Sequence, residues 1–206
     1  GWKPYVDSWI DKKKDPELRA YLDELFYKWI KPLLDTKRKF CKEIVAANNV
    51  NLVISLCKVL DALNATEASL KFDDPPKSDE YWLLLEKWFA FALLWSVGAT
   101  VNEDGRKFID SKFRDIESFF PANNVYDYFI SSEKNDWAPW EEKLTTVWKP
   151  PPNTPFHKLI VPTVDTFRNR YILQTLLKAK ALILVVGQTG TGKTAIVNSL
   201  LSSFDD

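Results

Sequence analysis

Ala181-Leu-Ile-Leu-Val-Val186 and the residues that follow it, Gly187-Gln-Thr-Gly-Thr-Gly-Lys-Thr194, decide the fold of this chain. The second segment fits the pattern G-x-x-x-x-G-K-[ST], which lies between a strand and a helix. Continuous apolar character in 181–186 predicts a central parallel strand that is buried on both faces. A helix-like run from Lys193 to Phe204 follows. The order of strand, loop and helix therefore predicts an α/β P-loop domain.

Glycines in such a loop allow successive backbone N–H groups to turn towards an anion, because a residue without Cβ tolerates positive φ. The N-terminus of the following helix adds the positive end of its dipole. We expect Lys193 to contact the β- and γ-phosphates of ATP or ADP, and Thr194 to be a Mg²⁺ ligand. The predicted nucleotide-binding residues of the loop are Gly187, Gln188, Thr189, Gly190, Thr191, Gly192, Lys193, Thr194 and Ala195.

Composition allows one large or two small domains, because 46% of the 206 residues are hydrophobic and 14% are aromatic. Lys plus Arg total 28, as do Asp plus Glu, so no net field favours nucleic acid or an anionic membrane. The longest strongly apolar run, Phe89–Trp95, is shorter than the ~20 residues that a bilayer requires. We expect a buried helix there, and neither nucleic acid nor membrane as a partner.

Cysteine and histidine give little sign of a metal or disulfide site. Cys41 and Cys57 are too few for a disulfide framework, and no secretory signal pattern occurs, so we expect small apolar core residues on helices in a reducing, intracellular setting. His157 has no Cys or His nearby, and we do not expect it to bind metal or to catalyse. A P-loop ATPase also needs later strands for its acidic residues and its base. We therefore expect a piece of a longer polypeptide with no catalytic residue of its own, which is inactive alone.

Residues 1–120 are predicted to be helical, because apolar residues repeat at steps of three and four. Asn48-Asn49 is a plausible helix start between the first two stripes. The aromatic residues could form a cofactor or base-stacking box, but their helical spacing favours a core. The two stripes consist of Leu18, Leu22, Leu25, Phe26, Trp29, Ile30 and Leu33, and of Leu52, Val53, Leu56, Cys57, Leu60 and Leu63.

Asp73-Asp-Pro-Pro-Lys-Ser78 interrupts the helical pattern. A long apolar helix is predicted from Asp79 to about Val97, with Gly98 at its end. A fourth helix is expected after Asp104. The residues of that helix predicted to face inward are Phe108, Ile109, Phe113, Ile116 and Phe119.

Residues 121–158 break the helical pattern. Val125–Ile130 alternates in a β-prone way, and Trp137, Trp140 and Trp148 are scattered beyond it. Lys149-Pro-Pro-Pro-Asn-Thr-Pro155 is extended and stiff. It could be a ligand for a proline-binding module, although we favour a connecting strap on the surface.

Residues 159–206 begin with a further predicted helix, started by Thr163 or Asp165. The strand and the phosphate loop follow it. The residues on the inner side of this helix are expected to be Phe167, Tyr171, Leu173, Leu176 and Leu177.

The region around the loop resembles the entry into the third AAA+ module of a dynein heavy chain. The similar segments are Ile160-Val-Pro-Thr-Val-Asp-Thr-Phe-Arg168, Tyr171-Ile-Leu173 and Val186–Thr194. The amino-acid sequence of the loop resembles that of axonemal dyneins more than that of cytoplasmic dyneins. Gln188 departs from the pattern, since the family is expected to have proline there, and this puts the stiffness and nucleotide affinity of the loop in doubt.

Upstream segments resemble the helical lid that closes the second module of the same family. They are Gly1-Trp-Lys-Pro-Tyr-Val-Asp-Ser-Trp9, Asn51-Leu-Val-Ile-Ser-Leu-Cys57 and Phe91-Ala-Leu-Leu-Trp-Ser-Val-Gly98. The resemblance implies a mainly α chain with an α/β P-loop (AAA+) portion at its C-terminal end. The implied domains are a lid subdomain (1–120), a connecting strap with short β elements (121–158) and the beginning of the next P-loop domain (159–206).

The resemblance also implies a function. The intact protein would be an ATPase that moves along microtubules in cilia or flagella, in the axonemal cytoskeleton, with intermediate and light chains as partners and a coiled coil elsewhere in the parent chain. The third module would bind nucleotide and regulate the motor, moved as a rigid body by the lid beside it. By the same resemblance, Ile160, Val161 and Pro162 would lie along the adenine, with Thr163 near it.

Two other functions remain open from the residues themselves. The same loop occurs in small-molecule and nucleotide kinases, which would need a phosphate-acceptor pocket and a complete sheet. Alternatively, the chain is a helical interaction module in which nucleotide only stabilises the fold, or in which the loop stays empty.

Overall fold

The structure is a computed structural model that describes residues 1–44, 46–144, 148–150 and 161–202. It is mainly helical, as predicted, with one small sheet among the described residues. The strands are β1 (Tyr128–Ser131) and β2 (Asp136–Pro139). The helices are α1 (Lys3–Asp11), α2 (Pro16–Phe40), α3 (Asn49–Thr66), α4 (Asp79–Ser96), α5 (Glu103–Ile116), α6 (Val164–Lys178) and α7 (Lys193–Ser202).

Side-chain caps define where several helices begin. The Asn48 side chain accepts a hydrogen bond from the backbone N–H of Asn51 at 2.8 Å, which confirms the predicted start of α3. Asn102 caps α5 in the same way, so that helix begins one residue before Asp104. Thr163, rather than Asp165, caps α6 in a capping box with Thr166. Each cap satisfies N–H groups that would otherwise lack an intrahelical partner.

Helix α4 is the centre of the core. Trp88, Phe89 and Phe91 on it are fully buried, and Phe26 of α2 meets Phe89 edge to face at 5.0 Å between ring centroids. The stretch Asp79–Thr100 has the length and composition of a membrane-spanning helix, but 78% of its most apolar window is buried inside the protein. The prediction of a buried helix here is therefore confirmed, although the whole helix is longer than the apolar run suggested.

The predicted stripes of α2 and α3 are buried in this core. On α5, Ile109 and Phe113 are buried as predicted, whereas Phe108 is 45% exposed. Its ring stacks on that of Phe40, which is also exposed, with 5.5 Å between ring centroids. The inward prediction for Phe108 is wrong because the buried stripe runs through Gly105, Ile109 and Phe113, and position 108 lies about 100° away from Ile109 around the helix. Ile116 and Phe119 are partly buried against the core, but Phe119 lies beyond the end of α5 and not on the helix as predicted.

The region after α5 contains a short hairpin. Val125–Asp127 forms a turn of 3-10 helix instead of a strand, because the Asn124 side chain accepts from the Tyr126 N–H at 3.1 Å and bends the chain. Strands β1 and β2 then pair antiparallel, with Phe129 opposite Ala138. Trp140, which directly follows β2, is buried and lies 4.9 Å from the Phe129 ring.

The predicted strand at 181–186 is not observed. These residues have no strand partner among the described residues, and Leu182 and Leu184 are 95% and 84% exposed. A parallel strand needs a neighbouring strand for its backbone groups and a covered face for its side chains. Among the described residues the only strands are the two of the hairpin, which pair with each other, so the segment stays unpaired. Residues 151–155 of the strap, His157 and Ile160 lie outside the described residues.

Candidate phosphate-binding site

The loop before α7 has the backbone conformation that its glycines predict. Gly190 and Gly192 have φ of +84° and +77°, a region that other residues enter only with strain. A Cβ at either position would meet no other atom within 4 Å. Glycine is therefore required here because the backbone has positive φ, and not because a side chain would lack space. Helix α7 starts immediately afterwards, with the N–H of Ile196 bonded to the Gly192 carbonyl oxygen at 3.0 Å.

Lys193 folds its side chain back over this loop. Its ammonium group donates to the carbonyl oxygens of Gly187 at 2.9 Å and Gln188 at 2.5 Å, and lies 3.3 Å from Oγ1 of Thr191. The Thr191 hydroxyl in turn donates to the Gln188 carbonyl oxygen at 2.9 Å. One positive charge is thus held over the loop, next to the N-terminus of α7. An anion at this place would meet the ammonium and the free N–H groups of the first helical turn.

The loop is open to solvent. Residues 187–192 are exposed, as are Thr194 and Ala195 in the first turn of α7. The donor set fits a nucleotide phosphate group: backbone amides on a glycine loop, one ammonium, and one hydroxyl that could join a Mg²⁺ shell. No group of three or more His, Cys, Asp or Glu side chains that could hold a metal occurs in the described part of the chain. A metal ion here would therefore depend on Thr194, water and phosphate oxygens.

A small cleft lies between α6 and α7. Its volume is about 130 Å³, and its apolar lining comes from Pro162, Phe167 and Ile196. Val161, the other described residue of the predicted adenine contact, is 55% exposed and is not part of the lining. The polar residues of the lining are Thr166, Arg170 and Ser199.

Sequence reasoning placed Phe167 on the inner side of α6 and did not identify the partners that it has in this cleft. On α6, Tyr171 and Leu176 pack against the core as predicted, while Phe167 faces α7 and Leu173 and Leu177 are half-buried outside the core. The spacing alone could not decide between core and cleft, because Phe167 shares a side of α6 with Arg170, which lines the cleft, and also with Tyr171, which packs against the core.

The neighbouring side of α6 contacts the helical part and the hairpin. Arg168 is 9% exposed, and its Nη1 donates to the Tyr126 carbonyl oxygen at 3.0 Å. Burial lowers the pKa of this guanidinium, with partial compensation from the carboxylate of Asp165. The Tyr171 hydroxyl donates to Oε1 of Glu67 at 2.8 Å, and burial, followed by the charge of Glu67, raises the pKa of that phenol. Nothing in the sequence pattern had singled out Arg168 or Glu67.

Comparison with protein families gives two matches that together cover most of the chain. The model of the dynein heavy chain AAA lid domain matches residues 22–142. The model of the P-loop containing dynein motor region matches residues 148–206.

Individual relatives agree with these matches. The chain is 42% identical over 204 residues to "Dynein axonemal heavy chain 2" of Mus musculus, covering 98% of this chain and 4% of that protein. It is 32% identical over 234 residues to "Dynein-1-beta heavy chain, flagellar inner arm I1 complex" of Chlamydomonas reinhardtii, covering 98% and 5%. It is 33% identical over 215 residues to "Dynein beta chain, ciliary" of Tripneustes gratilla, covering 100% and 5%. The chain thus spans only about one twentieth of the length of these relatives.

Proposed function

The chain belongs to the dynein heavy chain family, and from this premise we propose that the loop of residues 187–194 binds the phosphates of ATP or ADP. The observation that carries the proposal is the position of Lys193, whose ammonium lies over a loop with two glycines at positive φ. Its hydrogen bonds to the carbonyl oxygens of Gly187 and Gln188 keep the charge at the loop until a stronger acceptor arrives. Phosphate oxygens are such acceptors, because a bond between two ionised groups is shorter and stronger than one to a neutral carbonyl.

The roles within the site follow from chemistry and position. Backbone amides of the loop would hold the β-phosphate, Lys193 would neutralise the β- and γ-phosphates, and Thr194 would donate its oxygen to Mg²⁺. When bound, Mg²⁺ would supply charge neutralisation between the phosphates. The proposed phosphate-binding residues are Gly187, Gln188, Thr189, Gly190, Thr191, Gly192, Lys193, Thr194 and Ala195.

The base is proposed to occupy the cleft between α6 and α7. Ile160, Val161 and Pro162 would follow its edge, and Phe167 and Ile196 would cover its faces with apolar surface. Of these three residues, the structure describes Val161 and Pro162, and Pro162 lines the cleft.

We also propose the domain arrangement in which residues 1–120 form the lid of the second AAA+ module, 121–158 a connecting strap, and 159–206 the beginning of the third module. The boundary near 159 is supported by the capping box at Thr163, which starts a new helix after the strap. Within this arrangement, α6 belongs to the third module and rests on the lid of the second. The site would then regulate the motor, and the main hydrolysis would occur elsewhere.

For the whole protein we propose an ATP-driven motor that moves along microtubules in cilia or flagella. The proposal rests on relatives whose names describe axonemal, flagellar and ciliary dyneins. Its partners would be the microtubule and the intermediate and light chains. It would be located in the axonemal cytoskeleton. We expect residues 1–206 alone to bind without turnover, because P-loop ATPases take their catalytic base and acidic metal ligand from later strands.

The experiment that tests the site is Lys193→Ala in the intact heavy chain. An azido-adenine ATP analogue is crosslinked by light, and the labelled peptides are identified by mass spectrometry. We expect labelling of the peptides from residues 161–202 in the wild type and its loss in the variant, with the other nucleotide sites of the heavy chain as internal controls. Equal labelling of these peptides in the two proteins would refute the role of Lys193.

A further inference from the structure

We propose that Arg168 and Tyr171 are positioning residues, which hold α6 on the helical part so that Phe167 and Arg170 of the same helix keep the cleft in shape for nucleotide. The inference rests on the proposed function, since the cleft is taken to receive the base. It assigns a role in nucleotide affinity to two residues that touch neither the phosphate loop nor the cleft.

Helix α6 makes two sets of contacts on neighbouring sides. Arg168 and Tyr171 contact the helical part and the hairpin, while Phe167 and Arg170 line the cleft. At about 100° per residue, the two pairs are centred about 100° apart around the helix. A rigid helix cannot move one face without the other. A shift of α6 relative to the helical part therefore changes the distance of Phe167 from α7.

Arg168 is built into its surroundings more firmly than a surface arginine. Its Nη1 donates to the backbone of Tyr126, its Nη2 bonds to Asp165 one turn earlier, and its guanidinium lies 5.5 Å from the ring centroid of Trp95. These contacts use the planar fork and the flat face of the guanidinium at once, which lysine cannot do. The first turn of α6 is thereby fixed to the end of α4 and to the turn before β1.

Tyr171 fixes the middle of the same helix. Its hydroxyl bonds to Glu67 at the end of α3, and the other oxygen of that carboxylate accepts from the Ser132 hydroxyl at 2.7 Å. The Tyr171 ring packs edge to face on Phe91 and Trp140, at 6.1 Å and 5.5 Å between centroids. One carboxylate thus joins α3, the hairpin and α6.

The path from these contacts to the nucleotide is short. Thr163 caps α6 and directly follows Pro162, which lines the cleft. Because the cap ties the entering chain to the first turn, Pro162 moves with α6. The charged and aromatic contacts at Arg168 and Tyr171 therefore act on the base through the helix and its cap, and not by touching the ligand.

The test uses the intact heavy chain with Arg168→Met, Tyr171→Phe and their combination. The azido-adenine ATP analogue is titrated, and labelling of peptides from residues 161–202 gives a half-saturating concentration. Tyr171→Phe removes one hydrogen bond, which predicts an increase of about two- to tenfold. Arg168→Met removes two, and both it and the double variant should show a larger increase. The labelling of the other nucleotide sites stays unchanged.

Tyr21→Phe is the matched control. The Tyr21 hydroxyl, like that of Tyr171, donates to an oxygen of the helical part, here the carbonyl oxygen of Trp82 at 3.0 Å, but Tyr21 makes no hydrogen bond to α6. A general loss of stability would raise the half-saturating concentration in this control as well, whereas a positioning role predicts no change. If Tyr171→Phe and Arg168→Met behave like Tyr21→Phe while Lys193→Ala abolishes labelling, the positioning role is wrong and the nucleotide site stands. If the wild type is not labelled on these peptides, both proposals fall.

Discussion

The Tyr126 hydroxyl donates a hydrogen bond of 2.8 Å to the carbonyl oxygen of Gly98. Both residues are buried, and the bond joins the end of α4 to the turn before β1. A Cβ on Gly98 would lie 2.7 Å from the Tyr126 hydroxyl oxygen and 3.3 Å from a methyl carbon of Ile109. Helix α4 ends near Gly98 as predicted, but the reason for glycine is the close approach of these side chains.

Gly98→Ala is expected to lower the free energy of unfolding by about 1–3 kcal/mol, because the added methyl group overfills a packed site. Urea denaturation followed by circular dichroism measures the change. Tyr126→Phe alone removes the hydrogen bond and should cost about 1 kcal/mol. In the double variant the alanine gains room, so the two losses should not add; strict additivity would contradict the proposed clash.

Asp15 gives the chain an acid-sensitive contact. Its carboxylate accepts from Lys77 at 2.6 Å and from the N–H of Leu18 at 2.8 Å, and these two bonds lower its pKa below the usual 3.8. The folded state therefore binds this proton less readily than the unfolded state. The stabilisation is complete above the unfolded pKa and is lost as pH falls through the lower folded value.

The stability of wild type and Asp15→Asn should therefore converge in acid. Asparagine still caps α2 but carries no charge for Lys77. We expect the wild type to be the more stable protein at about pH 7, with the difference shrinking below about pH 4. Urea midpoints at a series of pH values measure it. A constant difference across that range would show that the charge of Asp15 is irrelevant.

How far sequence predicted the structure depended on whether the information was local. The stripe of α2 and the Asn48 cap of α3 need only residues within a few turns, and both are confirmed. The loop before α7 was found from four fixed positions. Tyr171 and Glu67, by contrast, are 104 residues apart, and no periodicity connects them.

The errors have physical causes too. An apolar run at 181–186 predicts burial, but burial requires partners, and the described residues provide no strand beside it. Phe167 is apolar on a helix with two covered faces, so its period alone could not decide between the core and the cleft with α7. Periodicity gives the direction of a side chain within a helix, and not which neighbour will cover that direction.

The two cysteines should differ in reactivity. Cys57 is fully buried in the core, as predicted, and burial raises the pKa of its thiol to about 12. Cys41 follows the last residue of α2 instead of lying on a helix, is half-buried, and has a pKa that burial also raises. Thiolate is the reactive form, so both thiols should react more slowly than a free cysteine, and Cys57 more slowly than Cys41.

A chromogenic disulfide reagent measures this difference. We expect the native chain to release one equivalent of chromophore slowly, as Cys41 reacts. The second equivalent, from Cys57, should be released only after unfolding in denaturant. In Cys41→Ala, no thiol should react before unfolding. Rapid reaction of that variant under native conditions would mean that α3 opens locally or that Cys57 is not in the core.

Gln188→Pro is expected to strengthen nucleotide binding. The Gln188 carbonyl accepts from Lys193 and from the Thr191 hydroxyl, and proline keeps that carbonyl. Gln188 is not among the residues with positive φ, so the ring removes unbound conformations without excluding the sign of φ that the loop uses. A compatible proline stabilises the bound conformation by about 0.4–1 kcal/mol, which corresponds to about two- to fivefold in affinity.

The half-saturating concentration of the azido-adenine analogue measures this gain in affinity. Gln188→Ala, which removes only the side chain, should leave that concentration nearly unchanged. Weaker binding by Gln188→Pro together with unchanged binding by Gln188→Ala would mean that the N–H of Gln188 itself donates to the phosphates, because that donor is what proline lacks and alanine retains.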